Sequence, residues 1–243
     1  MKDKTLVLSI ALNGYQWMYH RELKSHKEFA NKHGYTHEAV TKPVVTALGV
    51  ECCWLKLTLM RTALLSGYDT VLFIDADAMV KPNTPELAKI YQPGKFIYMA
   101  KGHSNRFNSG VFIARKNTKT IAWLTKVIDA RFNEVKIENN VGWGENGHVI
   151  EFSKGVPFIA ELEQKWNNTF DYQLNDYIRH SNCGPMRTHY FTNLFHKVIF
   201  YLSDKVIRII KRRQTSINPR NVDNLLIVET NKIISRYSKL TLS

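Results

Sequence analysis

Residues 71–80, VLFIDADAMV, constrain this chain more than any other segment. A short run of consecutive apolar residues closed by turn-forming neighbours reads as a strand buried in a core. This run delivers Asp75-Ala76-Asp77 at its carboxyl end, which is where open α/β sheets place their ligands. In extended backbone, residues two apart point the same way, so Asp75 and Asp77 present two carboxylates to one site past the small Ala76. Two hard anionic ligands suit Mg²⁺ or Mn²⁺. Aspartates also end strands and cap turns without any ligand, so the pair gains its weight from the apolar strand behind it and from the motifs around it.

The neighbouring segments alternate in type. Residues 5–12 (TLVLSIAL) form a branched apolar run bounded by Asn13-Gly14 and predict a buried first strand. Residues 17–33 carry helical spacing and stop at Gly34, a glycine C-cap. Residues 54–65 repeat the helical pattern and stop at Ser66-Gly67, just before the strand at 70–74. Further strands are expected at 96–100 and 111–114, and a helix at 118–132. This alternation predicts an α/β sandwich. With 243 residues and 44% apolar content the chain supports one sizeable core, and residues 1–190 are expected to form it. Residues 191–243 then make a C-terminal extension.

That extension is strongly basic. The net charge is +13, and the last 54 residues hold ten Lys and Arg against three Asp and Glu. Across 190–213 apolar residues recur at helical spacing among Lys205, Arg208, Lys211, Arg212 and Arg213, which describes a basic amphipathic helix. Charges interrupt it too often for a membrane span; it suits an anionic membrane surface, or a helix packed on the domain with its basic side in water. Residues 214–243 begin polar around Pro219 and regain apolar spacing from Leu225. Basic charge also attracts nucleic acid, but here it lies in an amphipathic tail rather than among exposed aromatics, so no nucleic-acid partner is expected. No small-residue cleavage site follows the first residues, and Cys52, Cys53 and Cys183 make neither a disulfide framework nor zinc spacing. A cytoplasmic setting is expected, peripheral on the inner face of a membrane if the tail binds lipid.

Three motifs in this order resemble the retaining glycosyltransferases of family 8, which have the nucleotide-diphospho-sugar transferase (GT-A) fold. They are Asp75-Ala76-Asp77 with its strand, residues 107–112 (FNSGVF), and His180 within 177–187 (YIRHSNCGPMR). His33-Gly34-Tyr35 followed by Trp54-x-Lys56 is also similar to family 34 of the same fold. The resemblance spans about residues 5–190. It implies a single GT-A domain with a mixed central sheet and a metal held by Asp75, Asp77 and His180. An imidazole ligand favours Mn²⁺ over Mg²⁺.

The resemblance implies further roles. Asn108, Ser109 and Gly110 line the donor sugar; physically they supply an amide, a hydroxyl and a backbone open to close approach. Lys56 contacts the nucleotide sugar. Arg187 stands in for the family's diphosphate-binding lysine. Tyr15 stacks on the nucleobase with Asn13 beside it, but the two are one residue closer together than the family spacing, which leaves the base open. Glu145 and Asn146, in the glycine-punctuated stretch 141–147 (VGWGENG), occupy the place of an Asp-Gln pair near the anomeric carbon, where a carboxylate or amide supports oxocarbenium-like charge or attacks as a nucleophile. Residues 165–170 (KWNNTF) shape the acceptor side by position alone.

The expected activity is metal-dependent transfer of a sugar from a UDP-sugar or GDP-sugar, a UDP-hexose first, to a glycan or glycolipid hydroxyl with retention. A Mg²⁺-dependent nucleotidyl or phosphoryl transferase also uses paired acids, but it usually wants a third carboxylate or a phosphate-cradling loop, and no Walker-type glycine–lysine run occurs.

Overall fold

The buried runs pair into a sheet because each is apolar on both of its faces. In the computed structural model, which describes residues 3–141, 144–181, 185–190, 194–212 and 222–242, the strands are β1 (Thr5–Ile10), β2 (Thr36–Val40), β3 (Thr70–Ile74), β4 (Ala78–Val80), β5 (Ile97–Lys101), β6 (Phe107–Arg115), β7 (Ile159–Leu162) and β8 (Ile178–His180). Six of them form a sheet in the order β2-β1-β3-β6-β5-β7. β1 runs parallel to β2 and β3, β5 runs parallel to β7, and β6 is antiparallel to both β3 and β5. This is the mixed sheet that the family resemblance implied. β4 and β8 pair antiparallel in a separate ribbon.

Alternate residues of each central strand enter opposite cores, as the period of two demands. Leu6, Leu8, Val71, Phe73, Phe112 and Ala114 face one side; Val7, Leu72, Ile74, Val111 and Ile113 face the other. On the first side lie α3 (Leu55–Ser66) and α4 (Thr118–Asp129), whose buried Leu55, Leu59, Trp123 and Leu124 meet those strands. On the second side α2 (His20–His33) buries Phe29 and Ala30. A fully buried aliphatic or aromatic side chain of this kind is worth about 1.5–3 kcal/mol.

Several bounds differ from the sequence pattern for identifiable reasons. The helix expected over 17–33 is two, α1 (Tyr15–Met18) and α2, parted at Tyr19, whose φ of −115° and ψ of 30° are not helical. Gly34 caps α2 in the left-handed region, at φ 68°, its N–H reaching Ala30 O and Asn31 O. The strand expected over 111–114 is β6, nine residues long, so Asn108-Ser109-Gly110 lies inside a strand rather than in a turn before it. β2, β4, β7 and β8 went unread because they are short or, in β2, polar and half-buried.

The C-terminal residues return to the domain. α5 (Asn146–Ser153), α6 (Pro185–Tyr190), α7 (Leu194–Arg212) and α8 (Val222–Arg236) complete the α-helices among the described residues. Leu226 and Ile233 of α8, with Leu240 beyond it, join the core beside α3. Thr58 Oγ1 lies 2.9 Å from Thr230 Oγ1, and the Tyr237 hydroxyl accepts the N–H groups of Thr41 and Lys42 at 2.9 Å. α7 rests on α1 through the buried Ile207, close enough that a Cβ on Gly14 would meet its Cγ1 at 3.0 Å. Its opposite face leaves Leu194, Phe195, Val198, Tyr201, Leu202 and Val206 exposed. No described helix is long and apolar enough to cross a membrane. Cys183, Gly184, Arg213 and the polar stretch around Pro219 lie outside the described residues.

Candidate functional site

The acid pair sits where β3 stops. Ile74 pairs with Val111 of β6, and the next N–H, that of Asp75, bonds to Gly110 O at 2.7 Å. The chain then turns, with Ala78 N–H on Asp75 O, and enters β4. β8 pairs Ala78 with His180, and Ser181 N–H bonds Asp77 O. A ribbon of three antiparallel residue pairs thereby carries a histidine 103 residues away onto the acids. His180 Nε2 is 3.1 Å from Asp77 Oδ1 and 3.7 Å from Asp75 Oδ2, and one ligand atom from each of the three lies within 4.8 Å of the others.

Gly110 makes this packing possible. A Cβ there would overlap His180 Cε1 and stand 2.7 Å from Asp75 Oδ2, so no other residue fits while the imidazole keeps its place.

The electrostatics follow from burial set against charge. Burial disfavours the imidazolium of His180, but Asp77 and Asp75 together outweigh it, and the ring holds a proton more tightly than a free histidine. Burial also pushes Asp77 up, and His180, with a backbone hydrogen bond and Arg187 adding to it, more than reverses this, leaving its carboxyl below the usual range. Asp75 is pushed up, by burial first, with Lys56 and His180 opposing; its side chain is 32% exposed, which softens that push.

Lys56, on α3, reaches into the back of the site. Burial works against its charge, yet Asp75 and Glu145 more than compensate and hold it protonated. Its Nζ lies 2.8 Å from Glu145 Oε1 and 3.3 Å from Asp75 Oδ1. Glu145 Oε1 also accepts from Ser109 Oγ at 2.6 Å, and Asn146 Oδ1 accepts the Ser109 N–H at 2.9 Å while its Nδ2 donates to Phe107 O. Glu145 and Asn146 therefore clamp residues 107–109 from behind.

These groups surround one cleft of about 690 Å³, in the range of small-molecule and nucleotide sites. Every residue given a metal, donor or catalytic role from the sequence lines it, from Asn13 to Arg187, whereas residues 165–170, expected to shape the acceptor side, do not. Tyr15 offers a ring 37% exposed, set edge-on to Tyr19 with 5.2 Å between centroids. Asn13 lines the cleft beside it, and its amide also holds the following loop: Oδ1 accepts the Thr46 N–H at 3.0 Å and Nδ2 donates to Gly49 O at 3.3 Å. Arg187, on α6, lines the cleft and adds to the charge that depresses Asp77. His103 and Arg106 also line it and carried no sequence signal beyond their nearness to FNSGVF. Behind the cleft, Asn167 of KWNNTF bonds His180 directly, at 2.8 Å; its only signal was an amide doublet after a tryptophan.

No protein-family model matches the sequence, and no curated protein is significantly similar to it. Solved structures do match. A glycosyltransferase involved in the glycosylation of the major capsid of PBCV-1 superposes with a TM-score of 0.55 at 15% identity, covering 78% of this chain and 100% of that one. The apo-form glycosyltransferase GlyE of Streptococcus pneumoniae TIGR4 superposes with a TM-score of 0.51 at 15% identity, covering 97% of this chain and 64% of that one. At such identities the likeness establishes the fold, which is the GT-A type with a mixed central sheet.

Proposed function

We propose that this chain is a metal-dependent glycosyltransferase that moves a hexose from a nucleotide diphosphate sugar, UDP-linked before GDP-linked, to a hydroxyl of a glycan or glycolipid, with retention. The observation that carries this is the Asp75, Asp77 and His180 cluster at the carboxyl end of β3, inside a cleft of nucleotide-sugar size. That two proteins of like fold are glycosyltransferases supports it.

The donor set fits a divalent cation. Two carboxylates and one imidazole converge, the glycine at 110 leaves them room, and the nitrogen ligand favours Mn²⁺ over Mg²⁺. When bound there, the cation supplies Lewis-acid neutralisation of the departing diphosphate. The protein does the rest. Arg187 faces the same space as a second cation for phosphate oxygens. Tyr15 offers an exposed ring face to the base. Ser109 and Asn108, held by Glu145, Asn146 and Lys56, present the sugar-side edge of β6. The acceptor attacks from the face the diphosphate leaves, and the diphosphate takes its proton, so no strong general base is required.

All residues assigned to chemistry lie within 1–190. The exposed apolar stripe of α7 is flanked by the exposed Lys197, Lys205 and Arg208 and is assigned to an anionic membrane surface, consistent with a peripheral, cytoplasmic enzyme acting on a lipid-linked acceptor.

The test is donor binding and hydrolysis across a panel of UDP- and GDP-sugars, with and without Mn²⁺, for wild type and Asp77→Ala. Metal-dependent turnover of one donor, lost in the variant, is expected. Failure of every nucleotide sugar to bind in the presence of metal would sink the proposal, and turnover of a nucleoside triphosphate instead would favour nucleotidyl transfer.

A further inference from the structure

Asn167 is fully buried and touches both halves of the cleft. Its Nδ2 lies 3.2 Å from Asn108 O and 2.9 Å from Asn108 Oδ1, and its Oδ1 lies 2.8 Å from His180 Nδ1. Which end of an amide is oxygen is settled by its partners, and here the partners leave no choice. The backbone carbonyl of Asn108 can only accept, so the end of Asn167 that meets it must be the NH₂. Asn108 Oδ1 is likewise an acceptor, because the Gly110 N–H donates to it at 2.9 Å. The other end of Asn167, facing His180, is therefore oxygen. An amide oxygen only accepts, so His180 Nδ1 must carry a hydrogen. Nε2, 3.1 Å from the acceptor Asp77 Oδ1, donates as well while no cation is bound, and a cation held by the two carboxylates takes the place of that second proton and leaves Nδ1–H with the lone pair on Nε2. Nε2 is the nitrogen that faces Asp75 and Asp77.

We infer that Asn167 is the positioning residue of the site, locking His180 in the Nδ1–H tautomer with Nε2 free to ligate a cation while gripping the Asn108-Ser109-Gly110 segment through the same amide. This role rests on the metal reading of the cluster given above. A ligating histidine commonly donates its other N–H to an acceptor that fixes ring and tautomer, and loss of that acceptor typically costs 10–100-fold in metal affinity.

The local chain is built for this task. Trp166, 2% exposed and edge-on to Tyr177 at 5.5 Å, anchors the preceding turn. Asn168 N–H bonds Ile178 O and His180 N–H bonds Asn168 O, so the backbone at 168 is laced to β8. Asn167 is thus held rigidly across from the ring. A carboxylate at 167 would still accept from Nδ1–H but would face two acceptor oxygens of Asn108, and an apolar side chain would leave the Nδ1–H unsatisfied in a buried place.

The experiment combines two readouts on wild type, Asn167→Ala and Asn167→Asp. ¹⁵N NMR of His180 with diamagnetic Mg²⁺ bound reports the tautomer, and Mn²⁺ titration followed by EPR reports affinity without any turnover. The expected result is a single Nδ1–H tautomer in wild type, loss of that uniqueness with a 10–100-fold weaker Mn²⁺ Kd in Asn167→Ala, and retention of the tautomer in Asn167→Asp. The wild-type spectrum stands even if a variant fails to fold: an Nε2–H tautomer there would overturn the inference. So would an unchanged Mn²⁺ Kd in a folded Asn167→Ala. Wild type that binds no Mn²⁺ at all would instead overturn the metal reading, and this role with it.

Discussion

Lys56 and Glu145 form an ion pair of 2.8 Å behind the acid–imidazole cluster, their side chains only 5% and 4% exposed. Two charges so placed stabilise each other only while both are present. Removing Lys56 leaves Glu145 buried and without a counter-charge, at a cost of about 3–5 kcal/mol, whereas removing Glu145 still leaves Lys56 facing Asp75 at 3.3 Å. Lys56→Met is expected to lose that much in urea denaturation, and Lys56→Met with Glu145→Gln to recover part of it. A Lys56→Met variant as stable as wild type would mean that water reaches the pair.

Gly110→Ala places a methyl inside the imidazole's space. The fold can yield by moving His180 off the cluster, since overpacking of this size costs about 1–3 kcal/mol. The expected result is a Mn²⁺ affinity reduced at least about tenfold, comparable to loss of a ligand-orienting contact, with a folded protein by circular dichroism. Wild-type affinity in this variant would show that the histidine does not ligate.

His26 sets a pH dependence of stability. It is fully buried, with Nδ1 2.8 Å from Ser9 Oγ and Nε2 2.5 Å from Ala78 O, and burial lowers its pKa from 6.5 to about 4. The unfolded chain takes the proton near 6.5 while the folded chain resists it until about 4. The stability this confers is therefore full above pH 6.5 and is lost as pH falls through that window, by about 1.4 kcal/mol per pH unit and about 3 kcal/mol in all. His37, lowered to about 4 chiefly by burial, adds in the same direction. Chemical denaturation between pH 5 and 7 is expected to show the slope in wild type and a shallower one in His26→Gln; equal slopes would count against it.

The exposed stripe of α7 is expected to bind vesicles containing phosphatidylglycerol and to release them as salt is raised. Each basic residue near such a surface contributes about 1 kcal/mol. Lys197→Glu with Lys205→Glu is expected to weaken flotation-assay binding more than about tenfold. Equal binding of neutral phosphatidylcholine vesicles, or none of either, would remove the membrane assignment.

Much of the architecture was legible because burial writes itself into local pattern. β3, its acid pair, the glycine cap at 34 and the helices α3 and α4 all follow from apolar runs or helical spacing that end at turn residues. The short ribbon of β4 and β8 was not legible, because three-residue strands have no periodicity to detect and are defined only by each other. Asn13 and Glu145 were read as groups facing a ligand, and both line the cleft, but their partners at Thr46, Gly49, Lys56 and Ser109 are long-range and invisible to any local pattern.

The sequence by itself determined that two carboxylates would stand at the end of a buried strand; they share one site through the tight turn closed by Ala78 N–H on Asp75 O, not through the extended backbone expected from the sequence. Only the tertiary structure decided that His180 would meet them and that Asn167 would orient it. Those contacts depend on the register of a ribbon closed across about a hundred residues, and register is a property of the whole packed sheet rather than of any segment within it.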